Sequence, residues 1–228
     1  MIIFKYSLIN GLKSKAALAV NCILPLVLIL IRPLWTGDLQ LGFNLVAFMI
    51  MGGTFVISQG IMDDRTSGTV VRILAAPVTM FSYLMQKLFA YTVPLVVNII
   101  VVCLVGYFLY DWSLYFAMAL MLCYTVLTLA CVALTFAWAC LFKSKSNSLS
   151  AFSIVLTAMA MLGGLIIPID LLPDVLQHVG AIFPSYWASN GIESLIQYGI
   201  TGQYWLSIAV MLLFTAIFLL YGGKRRII

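Results

Sequence analysis

The amino-acid sequence predicts an all-α integral membrane protein of six transmembrane helices with both termini in the cytoplasm. Three observations carry that reading. Of the 228 residues, 64% are hydrophobic and only 8% charged, whereas a soluble domain carries roughly a quarter charged residues. Apolar runs recur six times, each near the ~20 residues that a helix needs to cross the hydrocarbon layer. Basic residues gather on alternate connections between those runs. Six spans and their connections use up the chain, so residues 1–228 read as a single transmembrane domain. No length remains for a soluble catalytic domain, and the expected role is not that of an enzyme.

The elements follow in order. Over residues 1–15, Ile2, Ile3, Phe4, Tyr6, Leu8, Ile9 and Leu12 are interleaved with Lys5, Ser7, Asn10, Lys13 and Ser14. That pattern predicts an interfacial helix on the inner leaflet, its lysines near anionic head groups. A charge patch flanking the first span explains the same lysines equally well. The apolar run after Lys15 ends in Arg32-Pro33-Leu34-Trp35 with no small-residue cleavage site, so it reads as a span and not as a cleaved signal. The spans fall at about 16–32, 41–62, 88–110, 113–142, 149–168 and 204–222, the fourth long enough to tilt. Between the fifth and sixth, residues 169–202 contain Asp170, Pro173, Asp174, His178, Pro184 and Glu193. A lipid-exposed helix would not hold these together. The expectation is two short helices broken at Pro184, dipping into the outer leaflet or lying on it, and shaping an external gate. Gly163, Gly164, Pro168, Pro173 and Pro184 are the residues expected to shape it.

Charge sets the direction. Lys5, Lys13 and Lys15 precede the first span, and Arg65, Arg72 and Lys87 lie between the second and third. Lys143 and Lys145 separate the fourth and fifth, and Lys224, Arg225 and Arg226 follow the sixth, leaving only Arg32 on the other side. Asp38, Asp111, Asp170, Asp174 and Glu193 occupy the opposite connections. The positive-inside rule then places both termini in the cytoplasm, and two cytoplasmic ends require an even number of spans.

Much chemistry is missing. Cys22, Cys103, Cys123, Cys131 and Cys140 all sit in apolar runs without a CxxC pair, so they read as small buried hydrophobes. His178 has no second ligand at helical spacing, and no metal site is expected. The net charge of +5 is scattered over short connections, which argues against a nucleic-acid partner. No span core carries an acid, a base or a histidine, which disfavours self-contained ion coupling and charged selectivity rings. There is no GxxxxGK[ST] loop, so no cofactor is expected in this chain and the energy is expected from a partner.

The connection at 63–87 is the place for a partner to push. It begins Asp63-Asp64-Arg65-Thr66-Ser67-Gly68-Thr69-Val70-Val71-Arg72-Ile73-Leu74-Ala75-Ala76-Pro77. Val70, Ile73 and Leu74 are spaced to share one face of a short helix, with Arg72 off it. Pro77 ends that helix, and Thr79 can cap the next one, which leads through Lys87 into the third span. A loop that only satisfies the topology rule would need neither Gly68, nor the apolar face, nor the stop.

Here the sequence resembles the type-2 ABC transporter permeases. In that family an acidic residue and Arg follow the second span, then Gly-Thr, a leucine-containing helix, Pro, and a Lys entering the third span. The matching residues are Asp64, Arg65, Gly68, Thr69, Leu74, Pro77 and Lys87, with Asp64 where the family more often has Glu. An amphipathic start, six spans, Gly163-Gly164, Pro168 and a broken segment before the last span extend the likeness over essentially the whole chain. The resemblance implies a bacterial inner-membrane export subunit that dimerises, as a homo- or heterodimer, and docks two ABC ATPase subunits carrying ATP and Mg. It implies that the loop after the second span seats in the ATPase. Asp64 and Arg65 would hold the loop by charge-assisted bonds, and Gly68 would permit its turn. Thr69, Val70, Arg72, Leu74 and Pro77 would complete the contact, Leu74 and its neighbours supplying the apolar part.

Asn21, Asn44, Gln59 and Asn98 are candidate pathway residues, interhelical hydrogen bonding being the ordinary use of such groups. Ala130, Ala133 and Ala137, and Gly52-Gly53, are spaced for close helix packing. Eleven methionines suit gap filling or an adaptable surface. Trp35, Trp112, Trp187 and Trp205 fall where an aromatic belt is expected. Span cores without fixed charge suit an apolar or amphipathic cargo such as a drug, an antimicrobial peptide or a lipid. Polysaccharide or haem-related cargo is the alternative within the family. A scaffold or channel that moves nothing by ATP is the alternative outside it.

Overall fold

The computed structural model of the chain describes residues 23–31, 39–69, 73, 80–142 and 144–224. Among them there are α-helices and one 3-10 turn, and no strand. In chain order these are α1 (Leu24–Leu30), α2 (Leu39–Thr66), α3 (Met80–Tyr110), α4 (Leu114–Ala139) and α5 (Lys145–Leu162). A 3-10 turn at Ile169–Leu171 follows, then α6 (Asp174–Gly180), α7 (Pro184–Gln197) and α8 (Gly202–Lys224). Four described helices are long and apolar enough to cross a bilayer, at Leu39–Asp64, Ser82–Tyr110, Leu114–Ala139 and Gly202–Gly222. Of the expected first span, residues 23–31 are described and hold α1, whereas 16–22 and 32 lie outside the described residues, as does the interfacial helix expected at 1–15.

The core is organised around α4, which is apolar all round and packs against α2, α3, α7 and α8. A helix with no polar face can be enclosed on every side without burying a charge. Its alanines Ala130, Ala133 and Ala137 are buried, in keeping with a close-packing stripe. Tyrosines tie the bundle together by reaching helix carbonyls. Tyr124 Oη donates to Phe43 O at 2.9 Å, Tyr204 Oη to Ala119 O at 2.8 Å, and Tyr110 Oη to Ile29 O at 2.9 Å. On α3, Phe89, Val93, Val97, Leu104 and Phe108 form an exposed apolar stripe at helical spacing, a face suited to hydrocarbon.

Several boundaries move from their expected places. Helix α3 begins at Met80, directly after the expected cap Thr79, and runs unbroken through Lys87 into the span expected from 88, while α2 runs on to Thr66. The connection is therefore 67–79 rather than 63–87. Helix α5 spans Lys145–Leu162 rather than 149–168. Gly163 caps it, and Gly164 turns away at φ +80, a left-handed conformation that glycine adopts without strain.

The segment between α5 and α8 holds the expected break at Pro184, with a 3-10 turn added. Pro168 and Pro173 cap the 3-10 turn and α6, and Pro184 opens α7, all positions where a missing N–H costs little. Helix α7 does not lie on a surface. Ser185, Ala188, Ser189, Ile192 and Leu195 are buried against α4, α5, α2 and α8.

Two packing expectations change. Trp112 is 8% exposed, not a belt residue. Its ring packs edge-on to Phe43 and Phe116, at centroid distances of 5.2 and 5.7 Å. A Cβ built on Gly106 would sit 2.1 Å from that indole, so glycine is what admits it. Gly52, by contrast, has no atom within 4 Å of such a Cβ and serves no close approach.

Candidate functional site

The candidate site lies where α2 ends and α3 begins, at the base of the 67–79 connection. Helix α2 carries Asp63 and Asp64 in its last turn. Lys87 stands two turns into α3 and is 3% exposed. Its ammonium pairs with the Asp64 carboxylate. It also lies 5.4 Å from the Tyr83 ring centroid and 5.5 Å from that of Tyr91, and 3.5 Å from Tyr91 Oη. Residues 83, 87 and 91 are each four apart, so α3 brings both rings to the same side as the lysine. A cation taken from water needs a counter-charge and further partners, and the rings supply the latter through cation–π attraction. The pairing lets α3 carry Lys87 at a buried position on its way from Met80 into the apolar run.

Asp63, one residue earlier and one third of a turn away, reaches a different helix. It pairs with Lys145, the first residue of α5, in an exposed contact. The two acids thus join the end of α2 to both α3 and α5. Beyond them Thr66 Oγ1 donates to Met62 O at 3.0 Å, and Ser67 and Thr69 hydroxyls lie 2.8 Å apart. Gly68 adopts φ +71, and a Cβ added there would meet no atom within 4 Å. Its constraint is conformational rather than steric, since only the backbone penalises a side chain there. The Arg65 side chain and residues Val70, Arg72, Leu74 and Pro77 lie outside the described residues.

A second cluster sits at the other end of α2. Asn44, 2% exposed, donates through Nδ2 to Gly164 O at 2.9 Å and to Ser189 Oγ at 2.8 Å. Ser189 Oγ in turn lies 3.3 Å from Gly164 O, and Ser185 Oγ donates to Met159 O at 2.6 Å. Gly163 admits Ser185, because a Cβ there would come within 2.1 Å of its hydroxyl. Gly163, Gly164 and Asn44 are therefore brought together, with a small cavity beside them lined also by Gln40, Ile166 and Pro168. Asn98 is buried on α3, and Gln59 is half-buried on α2, away from this cluster along the sequence. Asn21 lies outside the described residues. His178 Nδ1 donates to Asp174 O at 2.6 Å, a contact within its own helix.

Sequence reasoning missed Lys145, Tyr83, Tyr91, Ser185 and Ser189 as parts of these clusters. Lys145 counted only toward orientation. A signal for the serines was present, since Ser185 and Ser189 fall four apart with Ala188 between them, a small-residue helix face. The arrangement holds no nucleophile with a base and is built to hold helices together. Its chemistry is mechanical.

Residues 38–223 match the family described as ABC-2 family transporter protein. The chain is also 22% identical over 198 residues to the "Putative transport permease YvfS" of Bacillus subtilis (strain 168), covering 80% of this chain and 75% of that protein. With its long apolar helices and ion-paired helix ends, the chain belongs to the ABC-2 transporter family as a multi-pass membrane permease, a transport subunit rather than a catalytic one.

Proposed function

We propose that the chain is the transmembrane subunit of an ATP-driven bacterial exporter, moving an apolar or amphipathic cargo across the cytoplasmic membrane. It works as a dimer of permease chains, six spans each and both ends cytoplasmic, among membrane lipids and with separate ABC ATPase subunits that bind ATP and Mg. The observation that carries this reading is the Asp64–Lys87 pair at the base of the 67–79 connection. A pair there, its lysine buried and its aspartate half-buried, fixes both ends of a short cytoplasmic connection, so force applied to it passes into α2 and α3 instead of being absorbed by fraying ends. The family membership supplies the class of machine. The absence of fixed charge along α4, the central helix, supports a drug, an antimicrobial peptide or a lipid as cargo.

The test is to copurify the chain with the ATPase encoded beside its gene and reconstitute both in vesicles. ATP hydrolysis and uptake of a fluorescent amphiphile should both require the pair of proteins. Leu74→Asp, in the connection itself, should uncouple them, abolishing uptake while the permease remains in the membrane. Undiminished uptake in that variant, or in Asp64 and Arg65 replacements, would overturn the assignment. An isolated gene without a neighbouring ATP-binding cassette would favour a passive scaffold instead.

A further inference from the structure

We infer that α2 and α5 are clamped to each other at both ends, so that a displacement of the Asp63–Asp64 end of α2 carries the Gly163–Gly164 turn with it. Use of that clamp in transport rests on the function proposed above, whereas the clamp itself does not. At one end Lys145 of α5 pairs with Asp63 of α2. At the other, Asn44 of α2 donates to the carbonyl of Gly164, just past the end of α5. The helices run antiparallel and lie side by side between these points.

The spacing is what makes the two contacts a clamp. Asn44 and Asp63 stand nineteen residues apart, and so do Lys145 and Gly164. At 1.5 Å per residue the interval on α2 is about 28 Å, and Lys145–Leu162 of α5 covers about 26 Å before the turn at Gly163 and Gly164. Intervals of nearly matching length let both contacts form together at one axial register. Sliding by one turn, about 5.4 Å, would break both contacts at once.

The ends differ in kind. Asp63 and Lys145 are solvent-exposed, so their attraction contributes little stability and acts mainly on register. Asn44 is buried, and its amide orientation is fixed because the Gly164 carbonyl can only accept. Its Oδ1 has no hydrogen-bond partner among the described residues, so the contacts seen at the polar node are the two bonds made by Nδ2. Through Ser189 and Ser185, α7 is attached to the same node and to α5. The node therefore ties α2, α5 and α7 together at this end of the bundle.

The test reads one end while changing the other. Gln40 and Ile166 border the same cavity at the Asn44 end. Gln40→Cys and Ile166→Cys, with the native cysteines replaced, give a pair whose disulfide formation rate is measured in membranes without nucleotide or cargo. Asp63→Lys should change that rate about threefold. The exchange Asp63→Lys with Lys145→Asp should restore it. Lys145→Gln, at an exposed position that the fold tolerates, should change it in the same direction as Asp63→Lys and keeps the test readable if the reversal is not inserted. A rate unmoved by Asp63→Lys and Lys145→Gln, or not restored by the exchange, would overturn the clamp. Because no ATPase is present, restored coupling in a chain that fails to transport would sink the proposed function and leave the clamp standing.

Discussion

Lys87 shows how one residue decides the shape around it. Its charge is expensive away from water, and Asp64 with two tyrosine faces is what makes it tolerable. Removing one partner strands the other, so Asp64→Leu should destabilise the protein by about 2–4 kcal/mol, read as a lowered melting temperature in detergent. Asp64→Leu combined with Lys87→Met should lose less than Asp64→Leu alone. A double variant worse than the single would show that the pair is not what holds these helix ends. Glycines give a second comparison. Gly164 and Gly199 both sit at positive φ, +80 and +77. A Cβ at Gly164 would also meet Ile169 Cγ1 at 2.4 Å, whereas at Gly199 nothing lies within 4 Å. Gly199→Ala should therefore cost about 1 kcal/mol, the backbone term alone. Gly164→Ala should cost clearly more, about 3 kcal/mol with the overpacking included. Equal melting-temperature losses would refute that account.

At the scale of elements, the hairpin of α3 and α4 turns on three residues. Asp111 takes φ +51, which its short polar side chain tolerates. Ser113 caps α4 by accepting from Phe116 N at 3.2 Å. Trp112 between them fills the gap that Gly106 leaves open. Gly106→Val should expel the indole and lower stability by about 2–3 kcal/mol, measured by thermal unfolding, while Gly52→Ala at an open site stays near neutral. That difference was not legible in the sequence, where Gly52 reads as a packing residue and nothing marks Gly106. Helix existence was legible for α2, α3, α4 and α8, because long apolar runs leave the backbone no other way to satisfy its hydrogen bonds in lipid. Their ends were not. The burial of Lys87 on α3 depends on a counter-charge twenty-three residues away, and the end of α5 on the turn made at Gly163–Gly164.

The whole molecule is a bundle around α4, with α7 inserted rather than laid against it. Enclosure protects the thiols on α3 and α4. Cys103, Cys123 and Cys131 are 4%, 0% and 0% exposed. In native membranes a maleimide should leave these three unmodified and should label them only after denaturation, as read by mass spectrometry. Rapid labelling of any of them would mean that the bundle opens more than its packing allows. The orientation proposed from charge is checked by fusing a fluorescent protein after the last residue, which should fluoresce in the cytoplasm.

What the sequence determined by itself was the solvent, the helical class and the family likeness. Composition and charge asymmetry act through the bilayer, a uniform environment that needs no knowledge of neighbours. The tertiary structure alone decided which charges neutralise which, as with Lys87 on Asp64 and Lys145 on Asp63. It also decided that Asn44 meets the Gly164 carbonyl and that Trp112 turns inward. Those pairings join residues up to 120 positions apart. Hydropathy is a property of one segment, whereas neutralising a buried polar group requires a second segment, and only folding brings that partner within reach.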